Sequence, residues 1–235
     1  MAKWLISYVA ILSLIGLSMA DCEGKTVIRK GNLTCTDKRK IVNVHNKLRS
    51  KVAAGKQSGQ PSAIYMLEMS WDEELENGAQ KWAENCTFDH NTYEQRKVER
   101  FNVGQNMAIS WSSPNETNSK DKPEFPKQIK SWYDEVSLYQ GYFTFEVGHY
   151  TQVVWADTYL VGCGYIYYKE GDKYTKLYVC NYGPAGNIGE KRPYESGTKN
   201  CTHVNLTSGA KSKFQELCRP KNFTELRCKQ QKRRS

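Results

Sequence analysis

The side chains most able to do chemistry are four histidines, His45, His90, His149 and His203, and eight cysteines in a chain of 235 residues. No two histidines stand four residues apart, the spacing that would set two metal ligands on one helical face. The chain has no His-Glu-x-x-His, no phosphate loop and no Gly-x-Gly-x-x-Gly, and beyond its leader-like start it has no Gly-x-Ser-x-Gly either. Any site must therefore be assembled by the fold from residues distant in sequence. The cysteines (Cys22, Cys35, Cys86, Cys163, Cys180, Cys201, Cys218, Cys228) are even in number. They follow an apolar run, Trp4 to Met19, that begins after Lys3 and ends in the small-residue stretch Ser18-Met19-Ala20, as a secretory leader does. An exported chain with paired cysteines implies four disulfides in an oxidising compartment and argues against a cysteine nucleophile or a zinc ribbon.

The expected organisation is a signal peptide at 1–20, an N-terminal disulfide loop at 21–36, one main domain at 37–193 and a basic cysteine-containing tail at 194–235. Six Asn-x-Ser/Thr acceptors agree with export: Asn32, Asn115, Asn205 and Asn222, and more weakly Asn85 and Asn200, whose middle residue is cysteine. A formal net charge of +9 favours acidic partners. The basic end Lys229, Lys232, Arg233 and Arg234 is the natural place for acidic glycans or anionic surfaces to meet it. Nothing after the leader is long and apolar enough to span a bilayer, so an integral membrane protein is not expected. An exported chain without a recognition motif is equally not expected to bind nucleic acid.

Three helices and a hairpin would have to position the site. Asp37 is placed to cap a first helix with the stripe Ile41, Val44, His45, Leu48 and Val52, which turns His45 toward the core. Ser70-x-x-Glu73 reads as a capping box opening a second helix with Leu75, Ala79, Trp82 and Ala83 on one face. A third helix starts near Pro126 with Ile129, Trp132, Tyr133 and Val136. Glu135 lies about 60° from Trp132 at the edge of that stripe, free to look into a bordering cleft. Val103, Gln105, Met107 and Ile109 alternate as a strand does, and Ser112 to Lys122 read as an exposed loop. Val161 to Lys169 and Tyr174 to Tyr182 flank Gly171-Asp172, a two-residue hairpin turn. In that register facing residues sum to 343, which places Cys163 opposite Cys180 within disulfide reach. The tail holds three cysteines, an odd number, so at least one bridge must tie it to the body. Cys22 with Cys35, and Cys86 with the tail, complete the expected pairing.

Two stretches, Gly148-His149-Tyr150-Thr151-Gln152-Val153-Val154-Trp155 and Leu177-Tyr178-Val179-Cys180-Asn181-Tyr182-Gly183-Pro184-Ala185-Gly186-Asn187, resemble the signatures of the CAP superfamily. That superfamily comprises cysteine-rich secretory proteins, antigen 5 and pathogenesis-related 1 proteins. His45-Asn46-Lys47-Leu48-Arg49 and Gly104-Gln105-Asn106 fit in the same order, and the resemblance covers about residues 37–190. The likeness is strongest to the antigen 5, or venom-allergen-like, branch. It implies an α+β fold, an α-β-α sandwich with a central antiparallel sheet stapled by disulfides. It also implies a cleft lined by two histidines and two acids, matched here by His90, His149 and Glu135. Gln105 stands where many members have Glu, and Asn91 where many have Ser after the histidine.

The resemblance further implies a secreted, non-enzymatic effector or binding protein of venom or salivary type, acting on extracellular host or prey proteins or acidic glycans. A small lipid held between helices is a further implied ligand. No cofactor is required, although His90 and His149, with Glu135, form a candidate weak Zn²⁺ site. The alternative is an extracellular metal-dependent hydrolase.

Overall fold

The computed structural model describes residues 22–113, 122–204, 207–208, 212–220, 223–226 and 228. The expected signal peptide at 1–20, the basic end 229–234 and the acceptors Asn115, Asn205 and Asn222 lie outside the described residues. Asn32, Asn85 and Asn200 are exposed.

The hairpin forms in the expected register. β4 (Leu160–Glu170) and β5 (Lys173–Gly183) pair antiparallel with Cys163 opposite Cys180. The two cysteines are joined. β3 (Gly104–Ser112) adds to the free side of β5, and β1 (Thr26–Lys30) to the free side of β4. A two-residue strand, β2 (Ser70–Trp71), meets the end of β4 in parallel. A short pair, β6 (Thr207–Ser208) with β7 (Cys218–Arg219), lies in the tail.

Helices cover both faces of the sheet, giving the α-β-α sandwich. α2 (Glu73–Ala83) lies on one face, over β4 and β5. It sits so close that a Cβ on Gly162 would come within 2.1 Å of the Glu76 nitrogen, and one on Gly164 within 2.4 Å of the Gln80 backbone. Only glycine at these two strand positions lets helix and sheet meet. α1 (Cys35–Ala53), α4 (Phe125–Asp134) and α5 (Gly148–Val153) cover the opposite face, and a single turn, α3 (Tyr93–Arg96), precedes β3. The main core lies between α1, α4, α5 and the tyrosine-rich face of the hairpin, with Tyr150, Tyr165, Tyr178 and Tyr182 fully buried.

Several expectations need correction. Thr34, not Asp37, caps α1. Its hydroxyl accepts the Asp37 N–H at 3.1 Å while the Asp37 carboxylate accepts the Thr34 N–H at 3.0 Å, a reciprocal box that starts the helix earlier. Ser70 does not open α2, because pairing with Leu160 holds it extended, and Asp72 caps the helix by accepting the Leu75 N–H. The pairing of Cys22 with Cys35, and of Cys86 with the tail, does not occur. Cys22 bonds Cys86 and Cys35 bonds Cys228. The reason is β1: residues between Cys22 and Cys35 are drawn into the main sheet as an extended strand, which carries the two cysteines apart. Cys35–Cys228 is the expected bridge from tail to body, and Cys201–Cys218 closes within the tail.

Along α1 the expected stripe is inward, with His45 fully buried, but Asn46 and Arg49 are buried beside it. The His45 Nδ1–H donates to the Ile41 carbonyl, and its Nε2 accepts the Tyr182 hydroxyl, both at 2.9 Å. Burial lowers the His45 pKa to about 4, with Arg49 adding to the effect and the Ile41 contact opposing it. The unfolded chain takes up a proton near pH 6.5 that the folded one refuses until about pH 4. The contribution to stability is therefore fully present above the unfolded value and is lost as pH falls through this window, by about 3 kcal/mol in all. Denaturant unfolding between pH 7 and pH 4.5 should show that decline, and His45→Gln should flatten it by about one proton; an unchanged slope in the variant would assign the pH dependence elsewhere.

Candidate cleft built from two histidine pairs

His90 is delivered by the segment that follows α2. Cys22–Cys86 anchors the start of that segment, and the Trp82 indole donates to the Asp89 carbonyl at 2.7 Å. The His90 Nδ1–H donates to the Gln105 side-chain oxygen at 2.8 Å. The Gln105 amide nitrogen in turn donates to Asn91 Oδ1 at 3.1 Å and Asn181 Oδ1 at 3.0 Å. An amide suits this position because it must accept from the imidazole and donate to two oxygens at once; a carboxylate there would face two acceptors. Asn91 is 5% exposed, and its backbone carbonyl accepts from Arg96. Arg96 also donates to Val103, and partial burial lowers its pKa.

His149 is held differently. It is the second residue of α5, its ring stacks 6.0 Å from Trp132 at 22°, and the Trp132 indole donates to the Met107 carbonyl. Its Nδ1–H donates to Glu135 Oε1 at 2.6 Å. The other oxygen of Glu135 accepts the backbone N–H groups of His149 and Tyr150, each at 3.1 Å. Glu135, standing at the end of α4, thus caps the start of α5 from outside the helix, where orphan N–H groups and the helix dipole favour a carboxylate.

The structure therefore places the four expected residues in two contacting pairs, His90 with Gln105 and His149 with Glu135. Asn106, the neighbour of Gln105 along β3, reaches the second pair. Strand alternation turns it to the opposite face of β3 from Gln105, where its amide donates to the His149 carbonyl at 3.1 Å and reaches the Tyr182 hydroxyl at 3.5 Å. Among the described residues no three His, Cys, Asp or Glu side chains are grouped to hold a metal ion, so His90, His149 and Glu135 do not form a three-ligand set. Sequence reasoning missed the structural parts of this site: Asn181, Asn106 and the capping role of Glu135. Asn106 and Asn181 lie inside the motifs quoted above, but only strand pairing shows which way each faces.

The CAP pattern, described as the cysteine-rich secretory protein family, matches residues 42–182. The chain belongs to the CAP family. Among relatives, a salivary antigen-5 of Triatoma infestans is 35% identical over 227 residues, covering 88% of this chain and 91% of that protein. A Venom allergen 5 of Tityus serrulatus is 42% identical over 180 residues; the match covers 73% of this chain but 42% of that longer protein. A solved structure described as NaASP2 with Zn²⁺ superposes with a TM-score of 0.59 at 32% identity, covering 77% of this chain and 94% of that one. In this CAP domain, Glu135→Ala removes the acceptor of three N–H groups at the head of α5. It should lower unfolding stability by about 1–3 kcal/mol, and Glu135→Gln by less. Urea unfolding of both variants checks this; an unchanged midpoint for the alanine variant would mean that the cap does not hold α5.

Proposed function

We propose that the protein is a secreted, non-enzymatic CAP effector of antigen 5 type that works by binding extracellular host or prey targets. The observation that carries this reading is the commitment of the cleft side chains to one another. The Glu135 carboxylate accepts three N–H groups, and Gln105 is fixed by three hydrogen bonds and carries no charge. Each imidazole keeps only Nε2 free, and among the described residues no Ser, Thr or Cys side chain hydrogen-bonds it, so neither pair forms the base–nucleophile dyad that covalent hydrolysis needs. The salivary and venom names of the relatives support the same reading, and so do four disulfides. Among the described residues no helix is long and apolar enough to cross a membrane. Lipid carriage is a subordinate reading: the groove between α1 and the start of α4, lined by Lys40, Pro123, Phe125 and Pro126, has a volume of about 280 Å³. That lies just below the usual range for small-molecule sites.

The deciding experiment against the metal-dependent hydrolase alternative is turnover of a broad peptide and ester panel by the pure protein. No turnover is expected. Cleavage that disappears in a folded His90→Ala, His149→Ala double variant would overturn the binding reading.

Weak Zn²⁺ binding fits the same residues. Each cleft imidazole spends Nδ1 on a neighbour that fixes the ring, and its Nε2 has no protein partner among the described residues. This is the usual orientation of a ligating histidine. We propose that these two nitrogens hold Zn²⁺ with water, Glu135 joining only if its cap is released; NaASP2, described with Zn²⁺, supports the reading. Bound zinc would supply Lewis acidity. Affinity should fall at low pH because imidazolium cannot ligate. Titration calorimetry should show weak binding, none in the double histidine variant and stronger binding in Gln105→Glu; unchanged affinity in the double variant would place the metal elsewhere.

A further inference from the structure

Charge is sorted between the two helical layers. The α2 layer is acidic, with Glu73, Glu74, Glu76 and, at its end, Glu84 against the single Lys81. The α1 layer is the reverse. From Lys38 to Leu67 the chain has no Asp or Glu and has seven cations. Two are consumed within the fold: Lys38 pairs with Glu76, and Arg49 is buried. Arg39, Lys40, Lys47, Lys51 and Lys56 are exposed. Lys51 donates to Gln57, and among the described residues none of the five has a carboxylate partner.

Their placement on α1 is regular. At 100° per residue Lys40, Lys47 and Lys51 fall within about 20° of one line, spaced about 10 and 6 Å along the helix. Arg39 forms a second row with Lys213, which docks on the helix by donating to Asn43 at 2.7 Å. Lys127 of α4 faces Lys40 across the groove at the helix start. Of the acids near this face, Asp37 is held in the cap of α1, Glu124 stands 3.8 Å from Lys176 and Glu68 is paired with Arg219, while Glu225 lines the same groove as Arg39 and Lys213.

We propose that this face of α1, flanked by Lys213 and Lys127, binds an acidic glycan chain, a sulfated or carboxylated polysaccharide of the extracellular matrix or cell surface. The assignment rests on the extracellular binding role proposed above and names a partner class for it. Rows of cations about 16 Å long match a linear chain of repeated anions. A membrane surface is disfavoured because the exposed large apolar side chains, such as Trp111, Tyr142 and Phe145, all lie off α1, leaving nothing there to enter a lipid interface.

The test uses the full mature chain on immobilised heparin-type glycan. The triple variant Arg39→Gln, Lys40→Gln, Lys47→Gln changes only exposed positions. It should bind at least about tenfold more weakly at physiological salt and elute at lower salt. A control removing equal charge elsewhere, Lys81→Gln, Lys169→Gln, Lys173→Gln, should bind nearly as the parent does. The proposal is overturned if both triples lose affinity equally, or if neither does and neutralising Lys229, Lys232, Arg233 and Arg234 abolishes binding. It is overturned also if the parent binds anionic phosphatidylserine vesicles but not the glycan, or binds neither. The turnover panel separates the two readings: catalysis with glycan binding intact overturns the non-enzymatic role alone, whereas absent glycan binding without catalysis overturns this assignment alone.

Discussion

The fold is organised around one buried cation. Arg49 is fully enclosed, and its guanidinium donates to five backbone carbonyls: Leu67 at 3.0 and 2.6 Å, Val153 at 2.9 Å, Trp155 at 2.7 Å, Ala156 at 3.2 Å and Thr158 at 3.0 Å. A charge taken from water costs several kcal/mol unless every donor is satisfied. Here irregular backbone supplies the acceptors. Burial lowers the Arg49 pKa to about 9, with Asp157 opposing the drop, so the group stays charged at neutral pH. One side chain of α1 thereby fixes the segment before β2 and the turn between α5 and β4, neither of which has a strand ladder or a full helix to satisfy its carbonyls.

One turn earlier on the same helix, His45 begins a second polar line through the core. It runs from the Ile41 carbonyl through His45, the Tyr182 hydroxyl and the Asn106 amide to the His149 carbonyl. Each member is paired, which is what makes such a line tolerable in an apolar interior. It sets the position of α5 against β3. The cleft is built on that placement: His149 meets Glu135 because α5 and α4 are held at the same end of the sheet. His90 reaches Gln105 because a disulfide and the Trp82 indole hold its loop over the edge strand. The cleft geometry is thus a by-product of core hydrogen bonding rather than of local motifs.

The two faces of the molecule follow different rules. Over α2 the sheet is bare glycine at Gly162 and Gly164, and contact is backbone to backbone. Over α1 and α4 large tyrosines fill a deeper space. The deep side needs only one stripe of α1 inward, which leaves its outer surface free to carry lysines. The tail contributes at the same helix, through Cys35–Cys228 and the Lys213–Asn43 hydrogen bond. Tail and cationic face therefore form one continuous surface.

Local patterns in the sequence were enough for the hairpin, its register and the Cys163–Cys180 bridge, because a two-residue turn and strand alternation are short-range constraints. They were enough too for the inward stripe of α1 and the third helix with Glu135 at its edge, since helical periodicity needs no partner. The remaining disulfides were not legible. Whether Cys22 turns to Cys35 or Cys86 depends on β1 joining β4, a contact between residues more than a hundred positions apart. In the sequence Arg49 is only the last residue of the motif His45-Asn46-Lys47-Leu48-Arg49, and Gln105 stands where many members of the family have Glu. Only tertiary structure surrounds the first with carbonyls and gives the second an imidazole to accept from and two amide oxygens to donate to. Hydrogen bonding of this kind is decided by which distant backbone arrives beside a side chain, and that is a property of the packed sheet and helices, not of spacing along the chain.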